Sequence, residues 1–161
     1  MTTYASAREF FDAARSAALE VAAYNERVSR MEQAEGLRGA SLSGVRSPRR
    51  DVNGMARVDA RLDLEAAERR HIEEDYALID RAASVLFGLT QRGDGGVDAL
   101  LGWREAKVMD LYYLEAMAWR QVASVMGMSE RWCRNAARVV MDLADAYGIE
   151  KVIAGLGAAQ P

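Results

Sequence analysis

One cysteine, one histidine and two prolines stand among the 161 residues, and each scarcity removes a class of protein. Cys133 alone cannot build an internal disulfide framework or a multi-cysteine zinc site. His71 alone excludes metal chemistry based on paired imidazoles, so no metal and no cofactor are expected. With so little proline and only 13 glycines, Ala, Leu, Arg and Glu dominate the text, which favours helices over sheet. Long apolar runs are also lacking. The stretch from Val85 to Leu89 is far below the ~18 residues needed to span a bilayer, so a membrane is not an expected partner. The opening MTTYASAREFFDAAR has acidic residues where a secretory leader needs a basic head and a continuous apolar segment, and a reducing cytoplasm is the expected compartment.

What is present is apolar material, at 50% of the residues, arranged in helical periods. Phe10, Ala14, Ala17, Val21, Tyr24, Val28 and Met31 recur at alternating intervals of four and three, the spacing of a coiled-coil seam. Ser6 followed by Glu9 has the form of a capping box, which predicts a helix over 6–35. A second series, Val58, Leu62, Glu65, Arg69, Ile72, Tyr76, Ile79, Ala83 and Leu86, predicts another helix over 58–89, with Glu65 and Arg69 as polar interruptions. Helices of ~30 residues are ~45 Å long, and stripes of that length need a partner. An antiparallel hairpin is the simplest solution, and a homodimer built from the same stripes is the alternative.

Between the two series, residues 36–57 read GLRGASLSGVRSPRRDVNGMAR, a breaker-rich linker. Arg38, Arg46, Arg49, Arg50 and Arg57 against Asp51 give it a charge of +4 in a chain whose net charge is −3. It is either a solvated connector or an arm that touches nucleic acid. The glycines of Gln91-Arg92-Gly93-Asp94-Gly95-Gly96 mark the next boundary. The chain therefore divides into an N-terminal helical hairpin, 1–92, and a C-terminal unit, 93–161. The latter is expected to hold helices over 97–115, 119–126 and 130–147, the last closed by Gly148.

Trp119 to Arg138, WRQVASVMGMSERWCRNAAR, has the spacing of a helix-turn-helix. Ala123 suits a close helix crossing, Gly127 suits the corner where positive φ is needed, and Ser129 suits the N-cap of the second helix. Val122, Val125, Met126, Cys133, Ala136, Val140 and Leu143 are the expected inward face. Arg131, Arg134, Asn135 and Arg138 are left outward on the second helix. Arginine bonds guanine bidentately, asparagine does so with adenine, and either can hold a phosphate instead. Ser129, Glu130, Arg120 and Gln121 lie near the helix ends, where they can position the helix through phosphates, or through a cytosine amine in the case of Glu130. From Trp103 onward seven basic residues balance seven acidic ones, so DNA affinity is expected to need a dimer, the linker or a partner.

Tyr113, Glu115, Trp119, Val122, Ala123, Met126, Gly127 and Ser129 form a string that resembles region four of bacterial sigma factors. With a long helical half ahead of it, the chain is similar to the short sigma-like regulators of phages and prophages, including the ArpU and RinA kinds of late-operon activator. The resemblance covers about 110–143. It implies an all-α, non-enzymatic transcription regulator in a bacterial host, with double-stranded DNA as partner and RNA polymerase as a second one. The promoter-melting segment of a complete sigma factor has no counterpart here. Two other readings compete: a small terminase-like subunit that recognises DNA for packaging, and a protein-binding module that uses the same fold against polymerase or another regulator.

The remaining chemistry-bearing residues have plainer explanations. Trp103, Tyr112 and Tyr113 are better core and helix contacts than a stacking platform for single strands. Cys133 is expected as a packed small hydrophobe, and His71 near Glu68, Glu74 and Asp75 as part of a solvated helix face. Glu73, Glu74 and Asp75 are consecutive, so a helix points them apart and they make no general acid and base pair.

Overall fold

The computed structural model describes residues 4–38, 52–89 and 95–156, and all regular structure among them is helical. Helix α1 (Ala7–Arg38) starts at the expected cap. Ser6 Oγ accepts from the Glu9 N–H at 3.2 Å. The reciprocal bond shifts by one residue, since Glu9 Oε2 accepts from the N–H of Ala5 at 2.7 Å. Helix α2 (Val52–Phe87) runs back antiparallel to α1, so the two long stripes pair within one chain. Both helices intrude on the interval expected to be a linker. Arg38 ends α1 and Val52 begins α2, since a glycine within a helix, as at Gly36 and Gly54, costs only ~1 kcal/mol. Residues 39–51, which include Arg46, Arg49 and Arg50, lie outside the described residues.

Burial along the hairpin is uneven. Phe10, Phe11, Ala14, Ala17 and Val21 are buried on α1, whereas Met31, on the same seam, is 49% exposed. On α2 the expected stripe holds only in part. Ile72, Asp75, Ala82, Val85 and Leu86 are buried, while Tyr76 is 44% exposed and Val58 and Leu62 are 57% exposed. The series keeps Ile72 and Leu86, but its intermediate contacts fall three residues on, at Asp75 and Ala82, instead of four, at Tyr76 and Ala83; positions i+3 and i+4 flank the same stripe, so the intervals alone do not choose between them. Tyr76 instead accepts from Asn25 Nδ2 at 3.1 Å on the hairpin's flank. Nearby, Arg27 of α1 pairs with Glu68 of α2.

The expected helix over 97–115 is broken. It divides into α3 (Val97–Leu100), α4 (Trp103–Met109) and a π-helical segment, Asp110–Leu114. Gly102 makes the break with φ +125, a backbone state that side-chain-bearing residues rarely adopt. The π segment ends with Glu115 N–H bonded to Asp110 O at 2.9 Å and with Ala116 at φ 53. Trp103, expected in the core, is 61% exposed, because the break at Gly102 places it at the free start of α4. Helices α5 (Trp119–Met126) and α6 (Glu130–Tyr147) follow with the expected bounds, and Gly148 closes α6. The tail contributes α7 (Ile149–Ala154), which returns to the hairpin. There Arg81 pairs with Glu150, and Gly96 N–H donates to Val152 O at 2.7 Å. A Cβ on Gly95 would lie 2.1 Å from Ile153 O, so this glycine permits close passage of two backbones as well as a turn. Residues 90–94 of the expected boundary lie outside the described residues.

One cluster of buried side chains unites the proximal hairpin with the C-terminal helices. Phe10, Phe11 and Leu86 share it with Met109, Val122, Cys133, Val140 and Val152. Phe10 and Phe11 are successive and both fully buried, so the start of α1 is enclosed on two sides. Phe11→Ala is therefore expected to lower unfolding free energy by about 3–5 kcal/mol, while Leu62→Ala in the distal hairpin changes it by no more than about 0.5 kcal/mol. Urea denaturation of the two variants measures the contrast.

Candidate nucleic-acid interface

The corner between α5 and α6 is closed by backbone bonds that only certain residues permit. Gln121 Oε1 accepts from Ala118 N–H at 2.9 Å and so caps the start of α5. At its end, Met128 N–H bonds Ala123 O at 3.1 Å and Gly127 N–H bonds Ser124 O at 3.3 Å, the paired pattern of a Schellman motif. Gly127 takes φ 65 and ψ 28 to make it. Ser129 then caps α6 as expected, its Oγ accepting from Trp132 N–H at 3.1 Å. Ala123 is buried at the crossing, with Val122 beside it. Val125 departs from the expected inward set and is 61% exposed, because the eight-residue α5 has only one turn-wide stripe against α6 and Val125 falls outside it.

Helix α6 divides cleanly into two faces. Cys133, Ala136, Ala137, Val140, Met141 and Ala144 are buried, and burial raises the Cys133 thiol above its ordinary pKa. Arg131, Arg134, Asn135 and Arg138 are all exposed on the other face, over the first turns of the helix. Arg134 pairs with Glu130 at 3.4 Å, and Arg138 donates to Asn135 Oδ1 at 2.9 Å. Exposed pairs of this kind are worth roughly 0.3–0.5 kcal/mol, so they pre-arrange the side chains without locking them against a ligand. Arg120 is exposed at the start of α5, and Glu130 and Ser129 at the start of α6. Gln121 is exposed as well, with its carbonyl oxygen committed to the cap on Ala118.

Three residues of α1, Arg8, Asp12 and Arg15, join this surface, and sequence reasoning missed all of them. Arg15 donates from Nη1 to the carbonyl oxygens of Tyr112 and Met117, the latter at 3.1 Å. Its guanidinium also lies over the Tyr112 ring, 4.1 Å from the centroid. Tyr112 in turn stacks on Trp119 with centroids 3.8 Å apart and planes 14° from parallel. Arg134 sits over Trp119 at 5.5 Å. A column of cation, ring, ring and cation thus runs from α1 through the π segment and α5 to α6. Beside it, Arg8 and Asp12 of α1 line an open hollow of about 270 Å³ together with Arg134 and Arg138. No local signal marks Arg8 or Arg15 in the sequence, since each lies about a hundred residues or more from the groups it meets.

Acidic side chains of the same region are partly consumed by structure. Asp145 Oδ1 accepts from Ala7 N–H at 2.6 Å, a carboxylate at the positive end of α1. Asp110 pairs with Lys107 at 2.6 Å. Arg8, Arg134 and Arg138 against Asp12 give the hollow an excess of positive charge, with Arg131 exposed on the same helix, on a unit whose overall charge from Trp103 onward is balanced. No family model, curated protein or solved structure matches this chain.

Tyr113, packed against Phe11 at 5.4 Å between ring centroids, reports on the integrity of the column's base. Burial, reinforced by Asp12, pushes its phenol from 10.0 up to about 12. A folded-state value above the unfolded one means that its contribution to stability is complete below pH 10 and is lost as pH rises through about 12. Ultraviolet titration of tyrosinate, with urea melts across that window, is expected to show one of the six tyrosines titrating late, together with a fall in stability.

Proposed function

We propose that this chain is a sequence-specific, DNA-binding transcriptional regulator of phage or prophage type, and that α6 enters the major groove of duplex DNA. The observation that carries the reading is the division of α6: one face is buried in the common core, and the other presents Arg131, Arg134, Asn135 and Arg138 immediately after a capped helix-turn-helix corner. Arg131 and Asn135, four residues apart and so on one line of the helix, are assigned to base edges. Arg134 and Arg138, steadied by Trp119 and Asn135, are assigned to phosphates together with Arg8. Ser129, Glu130, Arg120 and Gln121 flank the corner where the DNA backbone would pass.

The resemblance to sigma region four supports RNA polymerase as a second partner, and the exposed apolar residues Met31, Val58, Leu62 and Leu64 of the distal hairpin support a homodimer. In this reading the N-terminal half supplies the additional affinity that a charge-balanced C-terminal unit needs. That charge balance also motivates a second reading, a protein-binding module that contacts polymerase without DNA.

Duplexes selected from a random pool by the wild-type chain provide the test. Arg131→Ala and Asn135→Ala are each expected to weaken the selected duplex by 1–3 kcal/mol, about 5- to 150-fold, and to relax preference at one base position. Arg8→Ala and Arg138→Ala are expected to weaken all duplexes alike and to reduce the salt slope by about one each. Arg30→Ala, on the distal part of α1, leaves binding unchanged. Selection that yields no enriched duplex, or four variants indistinguishable from wild type, contradicts the reading.

A further inference from the structure

The hairpin carries a second cluster that owes nothing to α6. His71 and Asp75 lie four residues apart on α2 and so share one face, and Glu20 meets them from α1. His71 Nε2 lies 2.8 Å from Glu20 Oε2 and 3.8 Å from Asp75 Oδ2. The three donor atoms all fall within 4.8 Å of one another. In the sequence, His71 stands beside Glu68, Glu74 and Asp75, a faint metal-site pattern for which a solvated helix face is the favoured explanation. That pattern could not include Glu20, which is 51 residues away and enters only through hairpin register.

Asp75 separates this cluster from an ordinary surface ion pair. Its residue is 8% exposed, it is the one buried charged side chain among the described residues, and its Oδ2 has no hydrogen-bond partner. A buried, unpaired carboxylate oxygen costs about 1–3 kcal/mol or more. Hydrophobic packing at this seam position would avoid that cost, so the oxygen calls for something that satisfies it. The His71 imidazole lies 3.8 Å from it, beyond hydrogen-bond distance, and the Glu20 carboxylate faces the same point within 4.8 Å.

We infer that Glu20, His71 and Asp75 form a binding site for one divalent transition-metal cation, which clasps α1 to α2 in mid-hairpin. One imidazole and two carboxylates suit Zn²⁺ and its first-row neighbours rather than Mg²⁺, whose preferred ligands are oxygen alone. Donors ~2.1 Å from a four-coordinate metal are ~3.4 Å apart, so the observed 2.8 and 3.8 Å bracket the required separation. Glu20 is exposed and needs only a small side-chain adjustment. An open hollow of about 320 Å³, lined by His71, Glu74, Asp75 and Arg81, adjoins the cluster and leaves room for water as a fourth ligand. Arg81, which lines this hollow, is directed to Glu150, and Arg27, farther along α1, to Glu68. The site is independent of the DNA-binding reading.

Calorimetric titration of the full, chelator-treated chain with Zn²⁺ tests this, beside melting curves in Zn²⁺, in Mg²⁺ and in Zn²⁺ followed by EDTA. One saturable Zn²⁺ site is expected, with a melting temperature raised by roughly 4 °C at saturating metal, reversed by EDTA and absent with Mg²⁺. His71→Ala, at an exposed position, and the isosteric Asp75→Asn should each weaken Zn²⁺ at least about tenfold while their metal-free melting stays within a few degrees of wild type. Absence of saturable binding would mean that the imidazole bridges the two carboxylates through protons only, and would overturn the proposal. Zn²⁺ affinity unaltered in both variants would overturn it equally, since the metal would then sit elsewhere.

Discussion

The Arg15 guanidinium is the interaction on which the candidate interface rests. It donates to two carbonyls that the irregular end of the π segment leaves without helical partners, and it covers the ring of Tyr112. Hydrogen bonds to a charged donor are worth about 1.5–3 kcal/mol and a partly desolvated cation–π contact about 1–2 kcal/mol, so this single side chain outweighs any exposed ion pair on the surface. Through Tyr112 and Trp119 its position is passed to Arg134. The recognition surface is thereby referenced to α1, a helix from the other half of the chain. Loss of Arg15 would free the Ala116 turn and the aromatic column together.

Much of this architecture was legible in the text. Helical class, the paired long helices, the corner at Gly127 and the Ser129 cap follow from local rules, because a positive-φ glycine and a hydroxyl N-cap act within one turn of the chain. The outward set Arg131, Arg134, Asn135 and Arg138 was legible for the same reason, since an 18-residue helix with a clear apolar stripe leaves only one place for charge. What escaped was set by distance in sequence. Arg8, Arg15 and Glu20 gain meaning only from residues that folding brings to them. The break at Gly102 and the π widening after it escaped because the apolar period continues through both. On α2 the period identified Ile72 and Leu86 but not Asp75 and Ala82, because residues three and four positions on flank the same stripe and the text does not say which of them meets α1.

The two ends of the hairpin serve different physical roles. Its proximal end is part of the common core and gives α6 a rigid support through Ala137, Met141 and the bond from Ala7 to Asp145. Its distal end has little burial, and its stability derives from helix propensity, the Arg27–Glu68 pair and whatever binds there. The cluster of Glu20, His71 and Asp75 lies at the transition between these regimes, where a bound cation would extend the well-packed part of the hairpin outward. A chain built this way holds α6 against the common core while the apolar residues of the distal hairpin stay exposed.

The central claim is geometric: the exposed edge of α6 lies against a duplex. Photo-crosslinking from single sites tests it most directly, with a photoreactive amino acid placed in turn at Arg131, Asn135, Trp103 and Leu62 of the full chain bound to duplex DNA. Crosslinks to bases from Arg131 and Asn135, and none from Trp103 or Leu62, are the predicted result. Salt-sensitive DNA binding whose crosslinks arise only from Trp103 or Leu62 would contradict the account.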